Sequence, residues 1–450
     1  MQKSNNRKLK ILLIAEQCNP DWSSVPFVGY NFFKEINQIA DVTLVTHARN
    51  QPDFENKGYD NIVYISESNA IKQYYQSVAS LAMKGQVNWP LYHLLSYPIY
   101  AEFDHQVYQA FKQQVLQGQY DIVHAITPMM PRYPYKIIKA CQKKNIPFLL
   151  GPINGGIPFP AGFEETAKKE NASLNFLRAL GRYLIPGYVE TYKKATHIFS
   201  GSTYTLNLVQ KLFAIPDERI SLLHENGIEN DFLMEVERSQ TSDRPINLLF
   251  VGRLVPYKCA DVVIEAIGKL ESSLQNRVKL SIVGDGYEKG NLEKMVQDLH
   301  LESQVNFAGW IPQQETFNYY RQADVFCFPS IREFGGAVVI EAMACGLPCI
   351  VVDYGGIGEY VTEEAGFKIE PRSREYLVEQ MKEKIKILVE DQKLRTQMSA
   401  NSFERAKEFI WSNKAIKMHE VYESALASSN TVSDSSNESN QLTSKEFHTA

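Results

Sequence analysis

The sequence has no Cys-x-x-Cys pair, no Asp-x-Asp motif and no excess of basic charge. Nor does any apolar run approach the roughly 18 residues that a membrane span needs. Each gap excludes something. The six cysteines, Cys18, Cys141, Cys259, Cys327, Cys345 and Cys349, are scattered. They make neither a disulfide framework nor a zinc site, and they fit a reducing compartment. No His/Cys cluster has ligand spacing, so neither a metal nor another cofactor is expected. Lys and Arg number 47 against 52 Asp and Glu, a net charge of -5, which disfavours a wholesale nucleic-acid binder. After the basic lead MQKSNNRKLK only about six apolar residues follow, too few for a signal h-region and enough for a first buried strand. A cytoplasmic protein is the expectation.

What is present is ordinary globular composition, with 450 residues, 44% of them hydrophobic and 22% charged. That length suits two or three domains. Charge divides unevenly: residues 1–225 hold 23 Lys and Arg against 18 acids, and residues 226–450 hold 24 against 34. Two modules with different partners would carry such a split. Short apolar runs alternate with longer amphipathic stretches. The runs Leu9–Ala15, Val42–Thr46, Ile122–Ala125, Phe148–Gly151 and His197–Ser200 read as buried strands of a first half. Leu248–Gly252, Leu280–Gly284, Val305–Ala308, Val325–Pro329 and Cys349–Val352 read as those of a second. Strand–helix alternation means parallel sheets covered on both faces. Seen twice, it predicts an α/β protein of two Rossmann-like domains facing across a cleft. The boundary falls in the polar stretch near 230–244, giving domains of 1–229 and 230–404. A last helix, about 405–426, crosses back to the first domain. Residues 427–450 are rich in Ser and Asn and read as a disordered tail.

Two segments carry chemistry. In the first, a strand ends at Gly252, and Arg253 and Lys258 occupy the loop before a helix near Ala260. Ligands of open α/β sheets sit at the carboxyl ends of strands. A guanidinium fork and an ammonium beside a helix N-terminus there suit a diphosphate. In the second, a strand ending at Pro329 runs through Glu333, Gly335 and Gly336 into a helix stopped by Pro348. The glycines admit a close ligand, and their amides suit phosphate oxygens. Glu341 lies in an otherwise apolar helix, among Val338, Val339, Ile340, Ala342 and Met343. A buried carboxylate is rare unless paired or functional. Beside a phosphate site its task would be to accept hydrogen bonds from sugar hydroxyls.

The pattern Gly-Arg-x-x-x-x-Lys followed by Glu-x7-Glu-Ala-Met-Ala-x-Gly-x-Pro resembles the retaining GT-B glycosyltransferases of family 4. Asp121-Ile-Val-His124 is similar to the strand that delivers that family's active-site histidine. Gly151–Gly156, Ala195–Thr203, Asn226-Gly-Ile and Gly355-Gly-x-x-Glu359 match further family segments, and the resemblance covers roughly residues 9–425. It implies a hexosyltransferase that moves a sugar, with retention, from a UDP- or GDP-linked donor to a hydroxyl of a glycan or lipid-linked acceptor. Arg253 and Lys258 would neutralise the diphosphate, Glu341 would bind the ribose and Glu333 the donor sugar. Gly335 and Gly336 would supply amides, His124 would lie near the anomeric centre, and Gly29 would be the remnant of a Gly-Gly loop that approaches the donor. Three departures stand out: Val28 replaces one glycine of that loop, Cys259 stands where glycine is usual, and the glutamate loop reads Glu-Phe-Gly-Gly.

Two other readings compete. A non-catalytic nucleotide-sugar-binding protein need not keep all four of Arg253, Lys258, Glu333 and Glu341. A same-fold epimerase would need further acid/base carboxylates at the cleft. One more expectation concerns location. Residues 132–194 hold eleven Lys and Arg against four acids. Within them Phe176, Leu177, Leu180, Tyr183 and Leu184 recur at helical spacing beside Arg178 and Arg182. That pattern predicts peripheral docking on an anionic membrane, at its inner face.

Overall fold

The computed structural model describes residues 7–82, 91–92, 95–170, 181, 183–233 and 244–445, with side chains up to residue 429. Two parallel sheets organise it. The first contains β1 (Lys10–Ala15), β2 (Asp41–His47), β3 (Ile62–Ile65), β4 (Ile122–Thr127), β5 (Phe148–Ile153), β6 (His197–Ser200) and β7 (Ile220–Leu222), in the order β3-β2-β1-β4-β5-β6-β7. The second contains β8 (Ile246–Val251), β9 (Val278–Val283), β10 (Val305–Gly309), β11 (Val325–Phe328), β12 (Cys349–Val352) and β13 (Gly366–Ile369), in the order β10-β9-β8-β11-β12-β13.

The central strands are apolar along their whole length because helices cover both faces. Five of six residues in β1 and all six in β4 and β5 are buried. In each sheet the chain order reverses beside the first strand, at β1/β4 and at β8/β11. The loops leaving those strands diverge there and open a crevice. The two crevices face each other, and the site lies between them.

The last helix, Trp411–Lys445, returns to the first domain. Trp411, Met418 and Tyr422 sit in the same apolar cluster as Phe32, Phe33 and Ile36 of the Val25–Ile39 helix. Where the chain crosses back it is tied to the outgoing crossing. Ile228 N–H donates to Phe409 O at 3.0 Å, and Trp411 N–H donates to Ile228 O at 3.1 Å.

The helix runs on into the Ser/Asn-rich stretch, as far as Lys445.

Candidate active site

A cavity of about 850 Å³ lies between the domains. Most of its wall comes from segments that leave the carboxyl ends of strands, with Tyr75 and Tyr100 added from helices of the first domain. Glu16 and Gln17 follow β1, Arg49 and Asn50 follow β2, Met129–Tyr133 follow β4, and Asn154 and Gly156 follow β5. Glu225 and Asn226 follow β7, Gly252–Lys258 follow β8, and Arg332–Val338 follow β11.

The structure brings together Arg253, Lys258, Glu333, Gly335 and Gly336, all on this wall. Arg253 donates to the Tyr257 hydroxyl at 2.6 Å. Lys258 is nearly buried, lies over the Phe328 ring at 4.9 Å and pairs with Glu333. Ser330 Oγ donates to the same Glu333 oxygen at 3.2 Å. Gly336 caps the Ala337–Ala344 helix at φ +66°, a left-handed conformation that favours glycine. A side chain at Gly335 would run into Glu225 and Asn226. The backbone there is open to the cavity because nothing larger fits.

Cys259 has φ +55° and forms the left-handed entry to the Ala260–Gly268 helix. The geometry explains why glycine suits this position.

Three of the expected site residues stand off this wall. His124 lies beneath the cavity rather than on its wall. Its Nδ1 meets the Tyr422 hydroxyl at 2.7 Å and its Nε2 meets Gly151 O at 2.7 Å. It is fully buried, and that burial pushes its pKa down to about 4. The neutral imidazole thereby ties β4 to β5 and to the last helix. Gly29 is also absent from the wall. A Cβ there would strike the Gln17 carbonyl, so this glycine serves helix packing, and Val28 faces the cavity in its place. Glu341 stands behind the wall formed by Gly336, Ala337 and Val338. Its carboxylate accepts from Gln313 Nε2 at 2.7 Å and from the Tyr320 hydroxyl at 2.9 Å. Burial raises its pKa, and those two donors oppose the rise.

The structure also shows wall residues beyond those the motifs single out. Asn154 accepts from Ser202 Oγ at 2.9 Å and Thr205 Oγ1 at 2.8 Å, and donates across the cleft to Phe334 O at 3.1 Å. Arg332 reaches the other way, donating to Ile157 O at 3.0 Å between the rings of Phe159 and Phe334. Arg132, Arg49 and Glu16 line the first-domain side. Glu225 sits at the floor, where burial and the nearby Glu333 push its pKa up to about 7, against the hydrogen bond from Asn154. Asn154 and Glu225 adjoin segments visible in the sequence, Gly151–Gly156 and Asn226-Gly-Ile. Only tertiary approach makes them neighbours. The buried Lys414 of the last helix donates to His224 O at 2.7 Å, and burial pushes its pKa down to about 7.

The raised Glu225 has a testable consequence. The folded state holds this proton up to about pH 7, and the unfolded chain releases it near the ordinary glutamate value. The folded state therefore binds more protons in between, and stability falls as pH rises through that window. Glu225→Gln should then stabilise the fold at pH 8 relative to wild type by on the order of 1 kcal/mol, read as a higher melting temperature. The gain should be absent at pH 4.5. Calorimetry at both values checks it, and equal shifts would remove Glu225 as the source.

Among the described residues no group of three His, Cys, Asp or Glu side chains could hold a metal ion. Among the described residues no helix is long and apolar enough to cross a membrane.

Comparison with known proteins places this geometry. Residues 234–405 match the family model described as Glycosyl transferases group 1. A D-inositol 3-phosphate glycosyltransferase of Corynebacterium glutamicum is 30% identical over 187 residues, 40% of this chain and 44% of that protein. The phosphatidylinositol N-acetylglucosaminyltransferase GPI3 subunit of Saccharomyces cerevisiae is 26% identical over 221 residues, 48% of each chain. The chain thus spans about half the length of the curated relatives it matches. Solved structures align over nearly the whole chain. Anabaena HepE in complex with UDP covers 92% of this chain and 100% of its own, at TM-score 0.60 and 16% identity. Sucrose-phosphate synthase of Thermosynechococcus elongatus covers 94% and 100%, at TM-score 0.60 and 19% identity. The fold is the two-domain GT-B architecture.

Proposed function

We propose that the protein is a retaining family 4 glycosyltransferase that moves a sugar from a nucleotide diphosphate to an acceptor hydroxyl. One observation carries this reading. Arg253, Lys258, Glu333 and the Gly335–Gly336 backbone converge on one interdomain cavity at the carboxyl ends of β8 and β11. The group 1 match over this domain supports it.

The donor diphosphate lies against the N-terminus of the Ala337–Ala344 helix, between Arg253 and Lys258. Lys258 turns from Glu333 toward the phosphates, and donor-sugar hydroxyls take its place on the carboxylate. The bond from the anomeric carbon to the phosphate oxygen breaks, and the electron pair leaves with the diphosphate. The acceptor oxygen bonds to the same face of that carbon, and its proton passes to the departing phosphate. The fixed cations and the helix terminus stabilise the leaving group. Glu341 serves the ribose, whose hydroxyls displace the exposed Gln313 amide. Incubation with UDP- and GDP-sugars one at a time, with detection of free nucleotide, tests the reading. Release from none of them would overturn it.

The two carboxylates should separate kinetically. Glu341→Gln should mainly raise the donor KM, as loss of ground-state contacts does. Glu333→Gln should mainly lower kcat, because its contact strengthens as positive charge builds at the anomeric carbon. Steady-state kinetics decides, and equal losses in kcat alone would break the division. Chelation should leave the rate nearly unchanged, since Arg253 and Lys258 do a divalent cation's work. Abolition by EDTA with rescue by Mg²⁺ or Mn²⁺ would reassign the phosphate site.

A second reading has one observation in its favour. Glu225 beside Glu333 is a carboxyl pair of the kind an epimerase needs. Recovery of an epimerised nucleotide sugar, without transfer, would select it.

We also propose that the first domain makes peripheral contact with anionic membrane. Of the residues that suggest it, Phe176, Leu177, Arg178, Leu180 and Arg182 lie outside the described residues. Tyr183 and Leu184 are 83% and 74% exposed, side by side. Co-sedimentation with anionic vesicles at low salt is the expected result, and its absence would overturn the proposal.

A further inference from the structure

The charges on the cavity wall do not balance in pairs. Glu16 takes Arg49, Glu333 takes Lys258, Glu170 accepts the Tyr287 hydroxyl at 2.9 Å, and Glu225 accepts from Asn154. Among the described residues Arg253 and Arg332 stay without a carboxylate on the second-domain side, and on the first-domain side Arg132 is left over, likewise with no carboxylate partner. Its Nη2 faces only the Met130 sulfur at 2.7 Å, and its guanidinium lies 5.4 Å from the centre of the Tyr133 ring. Its Nε is shut off from water without a hydrogen-bond partner. A guanidinium held so is expensive unless a ligand completes it.

It is also held in place. Arg132 N–H donates to Met130 O at 2.7 Å, and Asn154 N–H donates to Met129 O at 2.8 Å. The Tyr188 hydroxyl donates to Pro131 O, and the Tyr100 hydroxyl donates to Pro134 O at 2.6 Å. The loop therefore presents the fork already oriented, which lowers the entropy lost on binding.

Position separates Arg132 from the donor cations. Arg253, Lys258 and Arg332 all belong to the second domain, whereas Arg132 follows β4 of the first, on the opposite wall. Beside it stand the rings of Tyr100 and Tyr133, 4.6 Å apart. Aromatic faces suit the carbon face of a sugar or polyol ring, and a planar guanidinium suits a phosphate.

We propose that Arg132 recognises an oxyanion carried by the acceptor, so that the acceptor is a phosphorylated sugar or polyol rather than a neutral one. The inference rests on the transferase reading of the cavity. The carbohydrate ring lies on the tyrosine wall, its phosphate on Arg132, and a free hydroxyl points across to the donor.

The test uses the full chain saturated with UDP or GDP, so that the donor cations are occupied, and inorganic phosphate as the probe. Nucleotide should raise the melting temperature, and phosphate should raise it further. Arg132→Gln should weaken the phosphate effect by about tenfold or more while leaving the nucleotide effect intact. Arg132→Lys, which keeps the charge and loses the fork, should fall between. Nucleotide stabilisation without any phosphate effect overturns this proposal alone. A phosphate effect that Arg132→Gln leaves unchanged overturns it too. Absence of both effects takes the transferase reading with it. Vesicles of anionic phospholipid, set against phosphatidylcholine, separate the two sources of such a phosphate. Retention abolished by Arg132→Gln assigns a lipid headgroup, and retention indifferent to it assigns a soluble phosphate ester.

Discussion

Replacing Lys258 with alanine is expected to lower kcat by about 10²–10³-fold, and replacing Arg253 to do the same, since one preorganised donor at a developing charge is worth roughly 2.7–4 kcal/mol. The two losses have different structural origins. Arg253 leans only on the Tyr257 hydroxyl, so its removal deletes a positive charge and little else. Lys258 is nearly buried against Phe328 and pairs with Glu333, so its removal also strands a carboxylate. Stopped-time assays with an accepted donor, read against the melting temperature of each variant, separate the two. A stable Lys258→Ala protein with near-normal turnover would show that the diphosphate is neutralised elsewhere, for instance by Arg332 on the loop after β11.

The second large effect is on stability. Trp411→Ala should cost about 3–5 kcal/mol, the range for truncating a buried aromatic side chain. Trp411 is 3% exposed and stands edge-on to Phe32 at 5.2 Å. Its ring also lies over Gly227, where a side chain would collide with it. The residue therefore fastens the last helix, the first helix and the interdomain crossing at one point. Chemical denaturation should show a lower midpoint. Removing residues 430–450, which are nearly free of apolar side chains, should leave the midpoint where it is. An unchanged midpoint in Trp411→Ala would mean that the crossing is held by its backbone bonds alone.

Sequence reading found the central strands and missed β3, β7 and β13. All three are edge strands, and their burial explains the miss. In β3 only Ile65 is buried, in β7 only Ile220, and in β13 only Gly366 and Ile369. A half-covered strand has no continuous apolar run to announce it. The donor half of the site was legible for a related reason. Arg253 and Lys258 share one loop, as do Glu333, Gly335 and Gly336, so local spacing carries their geometry. The first-domain half is assembled from five separate loops. Arg132 and Glu225 acquire meaning only from what the fold sets opposite them. The surroundings of His124 were not legible, because a strand-end histidine looks the same whether it faces a cleft or a helix. Its decisive neighbour, Tyr422, is 298 residues away.

That distance bears on how the protein is made. The first domain's sheet is complete once β7 emerges, yet its core lacks Trp411, Met418 and Tyr422 until synthesis has passed through the second domain. Until then Phe32 and its neighbours lie open to solvent, and the buried His124 lacks the hydroxyl that meets its Nδ1. The second domain has all its strands well before that point. The nascent chain thus carries an unfinished first half through the synthesis of the second, and the last helix then completes it. A chain stopped before Trp411 would carry that exposed surface permanently, as a substrate for holdase chaperones and proteases.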